Sequence, residues 1–106
     1  HMLIEGMALA AYSIRASHGI IFIRPEYESA ARILEREIAL ARREGLLGDG
    51  ILGSDYAFDI DVHRSGGRYI CGEVTAQLNA LEGRRPNPKQ PPPYATDKGL
   101  WGQPTW

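Results

Sequence analysis

"IIFIRPEYESAARILEREIALARREG", from Ile20 to Gly45, reads as a strand running straight into a helix, and this junction decides the fold class. Ile20 to Ile23 form a short β-branched and aromatic run of the kind that makes a buried strand. Pro25 and Glu26 suit the first turn of a helix, where a missing N–H costs little and negative charge is favoured. That helix carries Ala30, Ile33, Leu34, Ile38 and Ala41 on one face. Arg32, Glu35, Arg36, Arg42 and Arg43 lie largely opposite, as a solvated face. Gly45 is its expected stop.

Downstream, glycines at 45, 48, 50 and 53 mark a loop with apolar anchors. "AFDIDVH" then alternates, with Phe58, Ile60 and Val62 on one face and Asp59, Asp61 and His63 on the other, as in a half-buried strand. Gly66 and Gly67 make the turn out of it. From about Gly72 to Leu81 a third helix places Val74, Leu78 and Leu81 inward, with Gly83 as its stop. Upstream, Leu3, Met7, Ala11 and Ile14 recur at helical spacing, and "SHG" ends that run with Gly19 as the C′ residue. The order α-β-α-loop-β-α predicts an α/β fold, a small mixed layer structure over residues 1–83. Residues 84–106 hold all but one of the prolines, which excludes regular helix or central strand there. Tyr94, Leu100, Trp101 and Trp106 carry apolar area to hold this segment as ordered coil, packed on the core or swapped from it.

A chain of 106 residues supports one domain at most. Its net charge of −1 supplies no field for nucleic acid or anionic lipid. No apolar run approaches the ~18–20 residues that span a bilayer, so no membrane insertion is expected. "HMLIEGM" lacks the basic-then-apolar build of a signal peptide, and His1-Met2 has the look of a cloning scar, with the natural chain beginning near Met2 or Leu3. The single Cys71 cannot form an internal disulfide or an all-cysteine metal or iron–sulfur site, so no iron–sulfur cluster is expected in this chain. A reducing, cytoplasmic location is expected, including the cytoplasmic side of a membrane reached through partner subunits.

Several residue groups could carry chemistry. Asp59, Asp61 and His63 form a same-side row at about 6–7 Å spacing; a row like this can ligate metal, but an exposed strand face gives the same pattern more often, and no metal site is assigned. His18 beside Gly19 reads as a partner for a helix C-terminus or as a simply exposed residue. Cys71, between an isoleucine and a glycine, reads as a packing residue rather than an activated thiol. "HRSGGRYICGEVTAQL", His63 to Leu78, is the stronger signal. A strand, a glycine turn and a helix start in succession direct free N–H groups and a positive dipole end at one spot. The full dinucleotide fingerprint is missing, and no Lys-Ser/Thr pair follows as in a P-loop.

"GRYICGEVTAQLNALEGRRPNPKQPPPYAT…GLWGQPT" resembles the flavin-carrying subunit of respiratory NADH dehydrogenase (complex I), a family shared with NAD-reducing hydrogenases and NAD-dependent formate dehydrogenases. "LIEGMALAAYSI", "HGIIFIRPEY", "REGLLG" and "ILGSDYAFDIDVHR" agree with it too, so the likeness runs from Leu3 to Thr105. The resemblance implies a glycine turn and helix start that hold flavin mononucleotide (FMN), with NADH as the hydride donor and electrons leaving singly. Carried over by position, it implies a backbone cradle at Gly66, Gly67 and Gly72, a polar contact to flavin from Glu73, and ring contacts from Tyr69 and Tyr94. Tyr94 stands where the family has a phenylalanine.

The departures are specific. The second glutamate of the family's G-E-E is Val74, the lysine of its K-P-P-F is Pro91, and Lys89 stands two positions early. The family's other glycine-rich and cysteine-rich segments are not in this sequence, so it resembles an internal piece of the flavin domain with an incomplete FMN site. The expected function is that of a partial FMN-binding domain of an electron-transfer subunit, not catalytically complete alone. The alternative is a non-catalytic α/β assembly or interaction module that keeps the fold without cofactor. Partners are expected to be further copies of the chain, as a homo-oligomer, or other oxidoreductase subunits.

Overall fold

Two parallel strands joined through a helix organise the first part of the chain. In the computed structural model, which describes residues 1–106, these are β1 (His18–Ile23) and β2 (Asp59–Arg64). They pair in register from His18 opposite Asp59 to Ile23 opposite Arg64. Parallel strands cannot be closed by a hairpin and need a long crossover. Here a 3-10 turn, Pro25–Tyr27, leads into α2 (Glu28–Arg43), which supplies it. The N-terminal helix α1 spans Met2–Ile14. The chain divides into two compact units, His1–Arg64 and Ser65–Trp106.

Ile4, Ala11, Ile38, Leu47, Phe58 and Ile60 form the buried core of the first unit, and Ile60 is wholly inaccessible. Both helices turn slightly different faces inward than the hydrophobic spacing predicts. On α1, Ile4 and Ala11 are buried, with Met7 and Ala8 packed against the core, while Leu3 and Ile14 are exposed. On α2, Ala31 and Ile38 are buried two turns apart, whereas Ala30 and Ile33 face solvent. Most of each predicted face is kept, with Met7 and Ala11 on α1 and Ile38 and Ala41 on α2 at the core. Only at Ile4 and Ala31 does a neighbour of a predicted residue turn inward, a choice that a window dense in apolar residues does not resolve.

The helix ends also differ from expectation in one place. Gly45 closes α2 as expected, at φ +75°, with Leu46 N–H donating to the Ala41 carbonyl at 2.9 Å. On α1 the left-handed residue is Arg15, φ +61°, with Ala16 N–H on the Ala11 carbonyl at 2.9 Å. Gly19 is therefore not a helix cap. It lies inside β1, where an added Cβ would sit 2.8 Å from Phe58 Cζ and 3.0 Å from Met7 Cε. The absence of a side chain there lets the aromatic ring close over the strand.

Polar bonds secure β2 to α2. Arg42 donates to Asp59 Oδ1 at 2.8 Å and to the Ile60 carbonyl at 3.0 Å. Arg64 grips Glu28 and Glu35 together, at 2.9 Å and 2.6 Å. Tyr56 donates its hydroxyl to the Ala16 carbonyl at 2.6 Å, and burial raises its pKa.

The second unit contains a 3-10 turn, Tyr69–Gly72, then α3 (Val74–Leu81), then the proline-rich coil with a last 3-10 turn at Leu100–Gly102. The coil and α3 belong to one unit, so the unit boundary falls at the end of β2 and not at the composition change near residue 84. The helix starts at Val74 rather than Gly72. Ala76 and Asn79 are its buried residues, Leu78 and Leu81 are half-buried, and Val74 is 54% exposed. The aromatic residues of the coil do not hold it down, since Tyr94, Trp101 and Trp106 are 61%, 66% and 85% exposed. Polar bonds do so instead. Asn79 Nδ2 donates to the Asn87 carbonyl at 2.6 Å, Lys89 N–H donates to Thr75 Oγ1 at 2.8 Å, and Trp101 N–H donates to Glu82 Oε1 at 2.8 Å. Gly83, φ +78°, ends α3 with Arg84 N–H on the Asn79 carbonyl at 2.8 Å. No helix is long and apolar enough to cross a membrane.

Candidate functional site

The glycine turn lies directly after the carboxyl end of β2 in the chain, and it is the first segment of the second unit. Ser65 is buried, and its Oγ accepts the Gly67 N–H at 3.2 Å, which folds the turn on itself. Gly67 has φ +84°, a conformation that a side chain would strain. At Gly66 and Gly72 an added Cβ would meet nothing within 4 Å, so both present bare backbone to open space. The N–H groups of Gly66, Arg68, Tyr69 and Ile70 have no hydrogen-bond partner within the chain. Four unpaired donors at an exposed turn suit an anion or a polar ligand.

The start of α3 is arranged differently from the expectation of a free helix end. Glu73 is its N-cap, and one carboxylate oxygen, Oε2, accepts the Ala76 N–H at 3.0 Å and the Thr75 hydroxyl. The Thr75 hydroxyl, joined by the Ala76 N–H, holds the Glu73 carboxyl below its ordinary value. A carboxylate seated on the helix end takes the Ala76 N–H and repels an incoming phosphate. The donors of the turn, upstream of the helix, are better placed to meet an anion. The other oxygen, Oε1, makes no hydrogen bond within the chain. It is free to accept from an N–H or O–H of a ligand.

Of the predicted site residues, Gly66, Gly67, Tyr69, Gly72 and Glu73 fall in one continuous surface segment, and the Tyr69 ring is 89% exposed. Tyr94 lies in the same unit, and its carbonyl accepts the N–H groups of Asp97 and Lys98 at 3.0 and 2.9 Å, which fixes its backbone in a turn. Cys71, within the turn segment, is buried and packs, as its neighbours predict. His18, Asp59 and Asp61 belong to an ion-pair cluster instead: His18 Nε2 lies 3.2 Å from Asp61 Oδ2, and Arg42 reaches both aspartates. Burial disfavours charge on Asp59, but bonds from Arg42 and the Ile60 N–H outweigh it and lower its pKa. His63 stacks on Phe22 at 5.3 Å between ring centroids.

Thr75 is a site residue that the sequence reading does not single out. Its hydroxyl joins the Glu73 carboxylate to the Lys89 backbone, so it ties the coil to the cap. The available signal is a hydroxyl two residues after a glutamate that opens a helix, a pattern that permits local side-chain bonding.

A parallel βαβ unit, followed in the chain by a glycine turn with unpaired amides, places the chain in the α/β class. Residues 1–103 match the model of the family described as the Nuo51 FMN-binding domain, and the chain belongs to that family. The NADH-quinone oxidoreductase F subunits of Salmonella typhimurium LT2 and Escherichia coli K12 are each 50% identical to it over 105 residues, 99% of this chain and 24% of those proteins. The mitochondrial NADH dehydrogenase [ubiquinone] flavoprotein 1 of Dictyostelium discoideum is 44% identical, over 22% of its length. Among solved structures, an NAD+-reducing [NiFe]-hydrogenase in its H2-reduced state matches 95% of this chain and 16% of the hydrogenase chain, with TM-score 0.76 and 31% identity. The chain thus spans about a quarter of the length of the curated relatives.

Proposed function

We propose that this chain is a partial FMN-binding domain of an NADH:quinone oxidoreductase-type electron-transfer subunit, with the glycine turn as its part of the cofactor site. The observation that carries the reading is membership of the FMN-binding family over residues 1–103. The turn's chemistry fits the group. Gly66, Gly67 and Gly72 would supply the backbone cradle, and the unpaired amides around Tyr69 would meet phosphate or ribityl oxygens. Glu73 Oε1 would accept a donor from the cofactor, and Tyr69 and Tyr94 would offer exposed rings to stack on. FMN, when bound, supplies hydride acceptance and one-electron transfer. The protein's share is position and electrostatics.

NADH is proposed as the substrate of the assembled protein. The isolated chain would not complete the reaction, because the second carboxylate of the family's pair is Val74 here and the coil's lysine is displaced to Lys89. Other oxidoreductase subunits are the proposed partners, in line with relatives that are themselves subunits. Self-association is also proposed, because β1 and β2 each pair on one side only and leave an open edge. Light scattering at about tens of micromolar should then show a species larger than the monomer, and a strict monomer refutes it.

The decisive test is a flavin titration of the purified chain. Quenching of FMN fluorescence, abolished by Gly67→Val at preserved secondary structure, supports the site. No quenching up to about millimolar FMN rejects it. A second reading, a module that keeps the fold without cofactor, is favoured by the employment of Glu73 as a helix cap and by the exposure of Val74. It requires a colourless protein with neither flavin binding nor NADH-dependent ferricyanide reduction.

A further inference from the structure

The first unit carries an apolar trough that the flavin reading does not use. It lies among α1, α2 and the segment from Leu46 to Tyr56, and encloses about 700 Å³. Along α1 it extends from His1 to Tyr12, and along α2 from Glu37 to Glu44, so it is at least ~10 Å long at the helical rise of ~1.5 Å per residue. Leu9, Tyr12, Leu40, Leu46 and Leu52 line it and are between 41% and 79% exposed. Contiguous apolar surface of this kind marks an interaction site.

The charged side chains at its edge are acidic. Glu5, Glu37 and Glu44 line the trough together with the amino terminus at His1, and no lysine or arginine does, so acids outnumber the one amino group. None of the three glutamates takes part in an ion pair. The arginines of α2 are engaged or placed elsewhere: Arg42 holds Asp59, Arg32 holds Glu28, and Arg36 and Arg43 do not reach the lining.

We propose that this trough binds an amphipathic helix of a partner polypeptide, with an apolar stripe of two to three turns flanked by lysine or arginine. Length favours a helix face over a compact small molecule, because anchors at i, i+3 or i+4 and i+7 span about the same ~10 Å. Charge fixes the flanks, because unpaired glutamates on both walls attract a basic peptide and repel an acidic one. The trough and the flavin site share no residue.

The test uses the full chain and two labelled peptides of about four turns with leucines at the same helical spacing. One carries lysines at the flanks and the other glutamates. Fluorescence anisotropy should show the lysine peptide binding at least about tenfold more tightly, with a preference that shrinks as salt is raised. Glu37→Lys with Glu44→Lys should abolish or invert the preference while circular dichroism is unchanged, and Leu40→Asp should weaken both peptides. Equal affinity for the two peptides, no binding of either, or a preference untouched by the double charge reversal overturns the proposal. So does self-association that Leu40→Asp abolishes, which would make a second copy of the chain the occupant.

Discussion

The two units of this chain are held by different physics. The first owes its order to a shared apolar core around Ile60 and Phe58, reinforced by Arg42 and Arg64. In the second, the buried apolar residues are only Cys71 and Ala76, and its chain path is set by side chains bonded to backbone through Asn79, Thr75, Glu82 and Thr105. An apolar core resists change in volume, whereas a polar scaffold resists loss of particular atoms. The candidate site lies in the polar unit, where the backbone can stay exposed and unpaired without a core to bury it.

The contrast breaks most sharply at Ile60. Ile60→Ala should cost about 2–5 kcal/mol in the first unit, measured by denaturant unfolding, because a cavity would open in a fully buried position. Its counterpart in the second unit is overfilling: Ala76→Leu should cost about 1–3 kcal/mol, and lower hydrogen-exchange protection in α3 before it affects the strands. Removing single polar atoms should come next. Asn79→Ala and Thr75→Val are each expected to cost about 1 kcal/mol and to expose residues 84–93 to limited proteolysis, while leaving the first unit's exchange pattern intact. If either substitution instead loosens β1 and β2, the division of labour between the units fails.

Acid should weaken both units, the first through Asp59 and the second through Glu73. The Glu73 carboxyl lies below its ordinary value of 4.5 in the folded chain. Its contribution is therefore fully present above 4.5 and lost as pH falls through the lower folded value. Protection of the α3 amides should stay level from neutral pH to about 5 and then decline, and Glu73→Gln should remove that slope. The smallest effect is expected for Arg64→Met. The Arg64, Glu28 and Glu35 cluster is exposed, so unfolding of the variant should differ little from that of the parent and less still at high salt.

Much of the architecture is legible in the sequence because the strands announce themselves locally. The Ile20–Ile23 run and the alternation through Phe58, Ile60 and Val62 both lie in the observed strands or beside them. What escapes is set by contacts distant in sequence. Gly19 reads as a helix stop until Phe58 is placed over it, and Arg15 adopts a left-handed conformation that no local signal marks. On α1 and α2 the predicted faces hold at Met7, Ala11, Ile38 and Ala41, and fail only where apolar neighbours compete, with Leu3 and Ile33 exposed while Ile4 and Ala31 are buried. At the site, the glycine turn is visible in the sequence, whereas Glu73 enters only through the family resemblance. The seating of Glu73 on its own helix end is not visible there, since it depends on a side-chain rotamer shared with Thr75.

That shared rotamer has a consequence for recognition. A glutamate on an open surface ordinarily samples many orientations, and a ligand that binds it must freeze them. Here Thr75 and the Ala76 amide have already stilled the carboxylate, leaving Oε1 unbonded as a ready acceptor. Any donor that docks there gains its hydrogen bond without an ordering penalty on the protein side, and the benefit should be entropic.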